Sequence, residues 1–179
     1  MAKQTAATKK DKTKWLILLL ALVTAISVGV SIWALLFREP AKDTLAPDYA
    51  PVEEEKNAED MREEAGEKLE QPEGGGAVSL SYSTDVSIDL SEKAVTLMFA
   101  HPSESNQDMV LQIMIQETVV AQSGRLVPGK QITNLTLSDD AKLQAGTYEG
   151  KFVASYYQRD SGEKAILNTE IPVTITVQD

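Results

Sequence analysis

The chain has 179 residues, with 27 Asp and Glu against 17 Lys and Arg, for a net charge of −10. So acidic a balance argues against a nucleic-acid partner, because phosphates demand a basic patch. No cysteine is present, which excludes disulfides, thiolate zinc sites and thiol catalysis.

Residues 1–14 carry Lys3, Lys9, Lys10, Lys12 and Lys14 against one acid, Asp11. An uncharged, proline-free run of 23 residues follows, from Trp15 to Phe37. That is enough for a helix to cross a hydrocarbon core of ~30 Å at ~1.5 Å per residue. Trp15 and Trp33 bracket the run and suit the two interfacial belts. The lysine bias predicts a cytoplasmic N-terminus and a plasma-membrane protein with its C-terminal domain extracellular. A cleaved signal peptide is the alternative. Against it, the run exceeds the usual h-region of about 7–15 residues, and SIWALLFREPA lacks a small-x-small cleavage site. Ala21, Ala25 and Gly29 recur every four residues, which predicts a helix face suited to helix–helix association in the bilayer. Thr24, Ser27 and Ser31 add polar groups there.

Residues 38–76 read as an acidic linker, partly helical. They hold thirteen acids against five basic residues, with prolines at 40, 47, 51 and 72. Such a segment cannot bury a core of its own. Within it, PVEEEKNAEDMREEAGEKLE predicts a short helix. Pro51 suits its first turn, Glu53 to Glu55 its positive end, and Ala58, Met61, Ala65 and Leu69 form a thin apolar stripe. It is read as a short coiled coil or partner-docking helix, or as a solvated spacer helix, and the thinness of the stripe favours the spacer. Gly74 to Gly76 supply a hinge.

From Ala77 the apolar period becomes two. VSLSYS, TDVSIDL, AVTLMFA, MVLQIMIQ and TVVAQS each alternate. QITNLTLS does so less cleanly, with Leu135 and Leu137 on one side and Ile132 on the other. GTYEGKFVASYYQ places Tyr148, Phe152, Ala154 and Tyr156 on one face. The last run alternates through Leu167, Thr169, Ile171, Val173, Ile175 and Val177. The separators HPSESNQ, SGRLVPGK, LSDDAKLQAG and RDSGEK are turn-like. About seven or eight strands over residues 77–179, without helical crossovers, predict an antiparallel β-sandwich. The fold class is therefore mainly β, behind a single N-terminal transmembrane helix.

Leu143-Gln144-Ala145-Gly146-Thr147-Tyr148 resembles the L-x-x-G-x-Y opening of the sixth strand in immunoglobulin-like and fibronectin-type sandwiches. The resemblance makes Tyr148 a corner tyrosine bonding back to the preceding turn, with Leu143 and Gly146 completing the structural corner. True immunoglobulin domains carry a cysteine pair and a core tryptophan, which this domain lacks. NQDMVLQIMIQETVVAQSGRLVPGKQITNLTL and AGTYEGKFVASYYQRDSGEKAILNTEIPVTITV are similar to uncharacterised membrane-anchored envelope proteins of Gram-positive bacteria. The resemblance implies an anchor–stalk–sandwich plan and no activity. Some such proteins resemble accessory components encoded on mobile elements, which implies a place near a secretion or conjugative-transfer machine.

No residue set points to catalysis. His101 is the only histidine and opens a turn, where a surface role is expected. Ser103, Ser105, Ser123 and Ser161 therefore lack a frame for nucleophilic attack. Asp139-Asp140 lacks the further oxygens a Ca²⁺ site needs. No catalytic residue, cofactor or metal is assigned. Tyr156 and Tyr157, being adjacent, face opposite sides of a strand. Tyr157 is thus the candidate for an exposed partner contact, with a bland sheet-face residue as its alternative. The function expected is a non-catalytic bitopic protein whose sandwich binds another envelope protein. The alternative is a surface module for a carbohydrate or cell-wall polymer, against which the scarcity of aromatics counts.

Overall fold

A computed structural model describes residues 5–36, 46–61, 67–70 and 75–179. The chain divides into two units, Met1–Lys42 and Asp43–Asp179. In the first, α1 spans Thr5–Leu36. Its side chains are described over 14–29 and all are exposed, Trp15, Ala21, Ala25 and Gly29 among them. The side chain of Trp33 lies outside the described residues. Among the described residues, no helix is long and apolar enough to cross a membrane. Thr24 and Ser27 donate to the carbonyls of Leu20 and Val23, each at 2.9 Å. These hydroxyls thus bond within their own helix.

The second unit is mainly β. Its strands are β1 (Ala58–Asp60), β2 (Ser81–Tyr82), β3 (Asp85–Asp89), β4 (Ala94–His101), β5 (Gln107–Ile115), β6 (Thr118–Gln122), β7 (Lys130–Thr136), β8 (Gly146–Gln158) and β9 (Lys164–Gln178). They pair in one continuous sheet ordered β1-β7-β4-β3-β9-β8-β5-β6, with β2 also on β4. Every pairing is antiparallel except β3 with β9. The sheet curls until β6, at one end, meets the chain just past β7. Ala121 bridges Leu137 there, and the Ser138 N–H donates to the Val120 carbonyl at 2.7 Å.

Curling turns the alternating apolar residues inward. Val86 and Ile88, Val95 and Phe99, Ile171, Val173, Ile175 and Val177 are buried in one cluster. Phe99 of β4 meets Phe152 of β8 edge to face, ring centres 5.4 Å apart. Residues far apart in strand order therefore share one core. Ile132, Leu135 and Leu137 are all buried, although alternation divided them between two faces. Gly150 leaves room for Ile175 and for the carbonyl of Met114; a larger residue would force β5 and β8 apart.

Three expectations change here. The helix read over PVEEEKNAEDMREEAGEKLE is absent from its described part: residues 51–61 are irregular apart from β1, and 62–66 lie outside the described residues. The physical reason is that this segment finds partners on the sheet that an isolated, weakly apolar helix would lack. His101 is not a surface residue but ends β4 fully buried. Its neighbouring turn folds back, so that the Gly129 N–H donates to the His101 carbonyl. Leu167, read as facing the core, is 78% exposed. The register shift between Ser155 and Tyr157 sets three β9 residues, Ala165 to Leu167, against Tyr156 alone, so Leu167 lies in the bulge itself, and bulges redirect side chains.

Candidate interaction site

The site is built from a strap and an edge. The strap is the acidic segment 46–61, laid against the sheet. Tyr49 bridges Glu163, the Ala50 N–H donates to the Gly162 carbonyl at 2.8 Å, and the Lys164 N–H donates to the Asp48 carbonyl at 2.9 Å. Farther along, Glu55 accepts from the Gly124 N–H at 2.6 Å. The Arg125 N–H donates to the Glu53 carbonyl and the Glu55 N–H to the Arg125 carbonyl. β1 then pairs with β7, Ala58 opposite Ile132. Lys130 and Asp60 form an ion pair at 2.7 Å across that pairing.

The strap decides the fate of Tyr157. Its ring is fully buried with Ala46 and Val110, and Ala50 packs beside them. Its hydroxyl donates to the Pro47 carbonyl at 2.8 Å. Burial pushes its pKa up to about 12, with the charge of Asp48 adding to the effect. An exposed partner contact at Tyr157 is therefore overturned. Alternation correctly sends it to the face opposite Tyr156, but the chain's own strap covers that face. Tyr156 lies in the main core, and its hydroxyl donates to Thr169 at 2.7 Å.

The edge belongs to β9. β3 covers it only from Thr174 to Gln178, where the Thr174 N–H donates to the Thr84 carbonyl. The strap covers its start, at Lys164. Between these, residues 168–173 pair on one side only among the described residues, with β8, and 165–167 form the bulge against Tyr156. Ile166 is fully exposed and Leu167 nearly so. Beside the lower end of this stretch lies an open hollow of about 720 Å³, lined by Thr84, Met114, Glu149, Lys151, Pro172 and Val173 among others.

A second, polar cleft of about 440 Å³ is lined by Glu54, Gln107, Asp108, Arg125 and Arg159 among others, with no aromatic side chain. Asp108 is almost wholly buried, 3.2 Å from the Arg159 guanidinium and 3.7 Å from that of Arg125. Burial raises its pKa, and the two guanidiniums oppose that shift. His101 is fully buried. Its Nε2 lies 2.7 Å from the Gln107 carbonyl, and burial lowers its pKa. A nitrogen facing a carbonyl carries the proton, so neutral His101 donates through Nε2.

The remaining predicted residues lie elsewhere. The Tyr148 hydroxyl donates to the Gln144 carbonyl at 2.9 Å, across the corner that Gly146 closes as β8 begins. Leu143 packs half-buried against the core. Asp139 pairs with Lys93 at 2.7 Å. Among the described residues, no three of His, Asp and Glu gather to hold a metal. Sequence reasoning missed the exposed pair at residues 166 and 167. The available signal was the consecutive apolar run Ala165-Ile166-Leu167, which breaks the alternation at the start of β9.

No family model matches the chain, and no curated protein matches it. Among solved structures, the chain is similar to AggA, the major subunit of aggregative adherence fimbriae type I from Escherichia coli. Identity is 11%, over 65% of this chain and 100% of that one, with a TM-score of 0.29.

Proposed function

We propose that the chain is a non-catalytic, single-pass membrane protein whose extracellular β domain binds another protein of the cell envelope. The uncharged run from Trp15 to Phe37 supports the anchor. Helix α1, Thr5–Leu36, takes in all but the last residue of this run. The five lysines before it support a cytoplasmic N-terminus.

The domain reads as an immunoglobulin-like sandwich. Its one parallel link, β3 to β9, separates two antiparallel halves. These halves meet core to core at Phe99 and Phe152. The back-bond of Tyr148 supports the same reading.

One observation carries the interaction: an uncovered strand edge that presents Ile166 and Leu167 to solvent. Exposed aliphatic side chains on an unpaired edge mark a contact surface, because both the apolar area and the backbone groups gain from a partner. The single histidine is sealed behind backbone carbonyls, which supports a role without catalysis. The lack of aromatics around the polar cleft counts against a sugar platform.

A photocrosslinking residue at Leu167, in the full chain in its native membrane, tests this. A covalent adduct with another protein is expected there, and none from Val52 on the strap. Retention of the chain in membranes washed with alkaline carbonate is expected too. No adduct at Leu167 overturns the binding role, and release by carbonate overturns the anchor.

A further inference from the structure

We infer that residues 165–173 of β9 form a slot for one short, extended, basic and apolar segment of a partner protein, which adds to the sheet as a strand. This rests on the interaction reading above and specifies its partner.

The backbone geometry sets the first requirement. The Thr174 N–H points away from β8, to the Thr84 carbonyl. Residues two apart on a strand point the same way. The N–H and C=O groups of Asn168 and Glu170 therefore face the uncovered side. Pro172 has the same parity, opposite Lys151 of β8, and has no N–H to lose there. The slot thus offers donors and acceptors at its centre and an acceptor alone at Pro172.

Its ends set the second requirement. The Asp48 carbonyl occupies the lane beside β9 at Lys164, and the Thr84 carbonyl occupies it at Thr174. Beside β9, β8 runs the eight steps from Tyr157 to Glu149, so the open lane is about 26 Å long at ~3.3 Å per residue. A long strand such as β9 of a second copy, 15 residues, would run into the strap at one end and β3 at the other. A segment of about seven residues that enters and leaves sideways meets neither.

The chemistry sets the third. Asp48, Glu149, Asp160 and Glu163 are exposed around the lane. The nearby lysines are engaged, Lys151 with Glu170 at 2.7 Å and Lys164 with the Ala46 carbonyl at 2.8 Å. The surroundings favour cationic side chains on the guest. Ile166 and Leu167 at one end, and the hollow beside Pro172 at the other, give apolar side chains places to bury. In such strand addition, main-chain bonds supply affinity and alternate side chains supply selection.

The test uses the full chain in detergent micelles and a blocked heptapeptide alternating lysine with valine. The peptide should slow amide exchange at Asn168 and Glu170 at least tenfold. Methylating alternate peptide nitrogens should abolish that protection, and so should replacing lysine with glutamate. The double variant I166S/L167S should weaken binding at least tenfold while leaving exchange in β5 unchanged. Absence of protection, or equal protection by the acidic or methylated peptide, overturns the slot. If the crosslink at Leu167 still captures a protein while the heptapeptide gives no protection, strand addition falls and the interaction role stands. If neither signal appears, both fall.

Discussion

Phe152, Ala154 and Tyr156 leave β8 on one side and Val153, Ser155 and Tyr157 on the other, and all six are buried. The first face is covered by strands whose apolar residues recur every second position. Around Tyr157 the second face is covered by Ala46, Pro47 and Ala50, from a segment rich in acid and poor in apolar residues. The inner face is held by shared area, distributed over many side chains. The Tyr157 side is held by a few backbone carbonyls and one aromatic ring. Equal burial therefore hides unequal strength.

The largest break in that comparison is on the inner face. Phe152→Ala removes the ring that meets Phe99 and should cost about 3–5 kcal/mol, read from the denaturant midpoint of the full chain. On the strap side, Tyr157→Phe keeps the ring and removes only its bond to Pro47. It should cost about 1 kcal/mol and speed exchange of the Ala50 and Lys164 amides while the β8 amides paired with β5 stay slow. Equal speeding of both sets would show that strap and sheet open as one.

Alkali sharpens the contrast further. The Tyr157 pKa is about 12 when folded, above an ordinary tyrosine's ~10. The folded form holds its proton longer, so the strap's contribution is complete below pH ~10 and is lost as pH rises toward about 12. Burial also raises Tyr156, so an ultraviolet tyrosine titration should show two late-ionising rings, of which Tyr157→Phe removes one.

The strands were legible because a half-buried sheet needs one apolar residue in two, and AVTLMFA, MVLQIMIQ and EIPVTITV carry that period plainly. The Tyr148 corner was legible because it depends on a glycine and a tyrosine at fixed spacing. The strap was not legible. Its attachments run through the carbonyls of Ala46, Pro47 and Asp48, and a carbonyl has no letter in the sequence. Its charge pointed to a solvated spacer, whereas Glu55 accepts from the Gly124 backbone. The edge was half legible. Alternation located β9 but sent Leu167 inward, because a bulge shifts the phase without changing composition.

The strap also fixes where the C-terminal domain can be cut. A fragment begun at Ala77, where alternation starts, would bare the Tyr157 ring and strip the outer neighbour from β7. One begun at or before Ala46 keeps both. The folding boundary of this domain thus lies some thirty residues upstream of the boundary its hydrophobic pattern suggests.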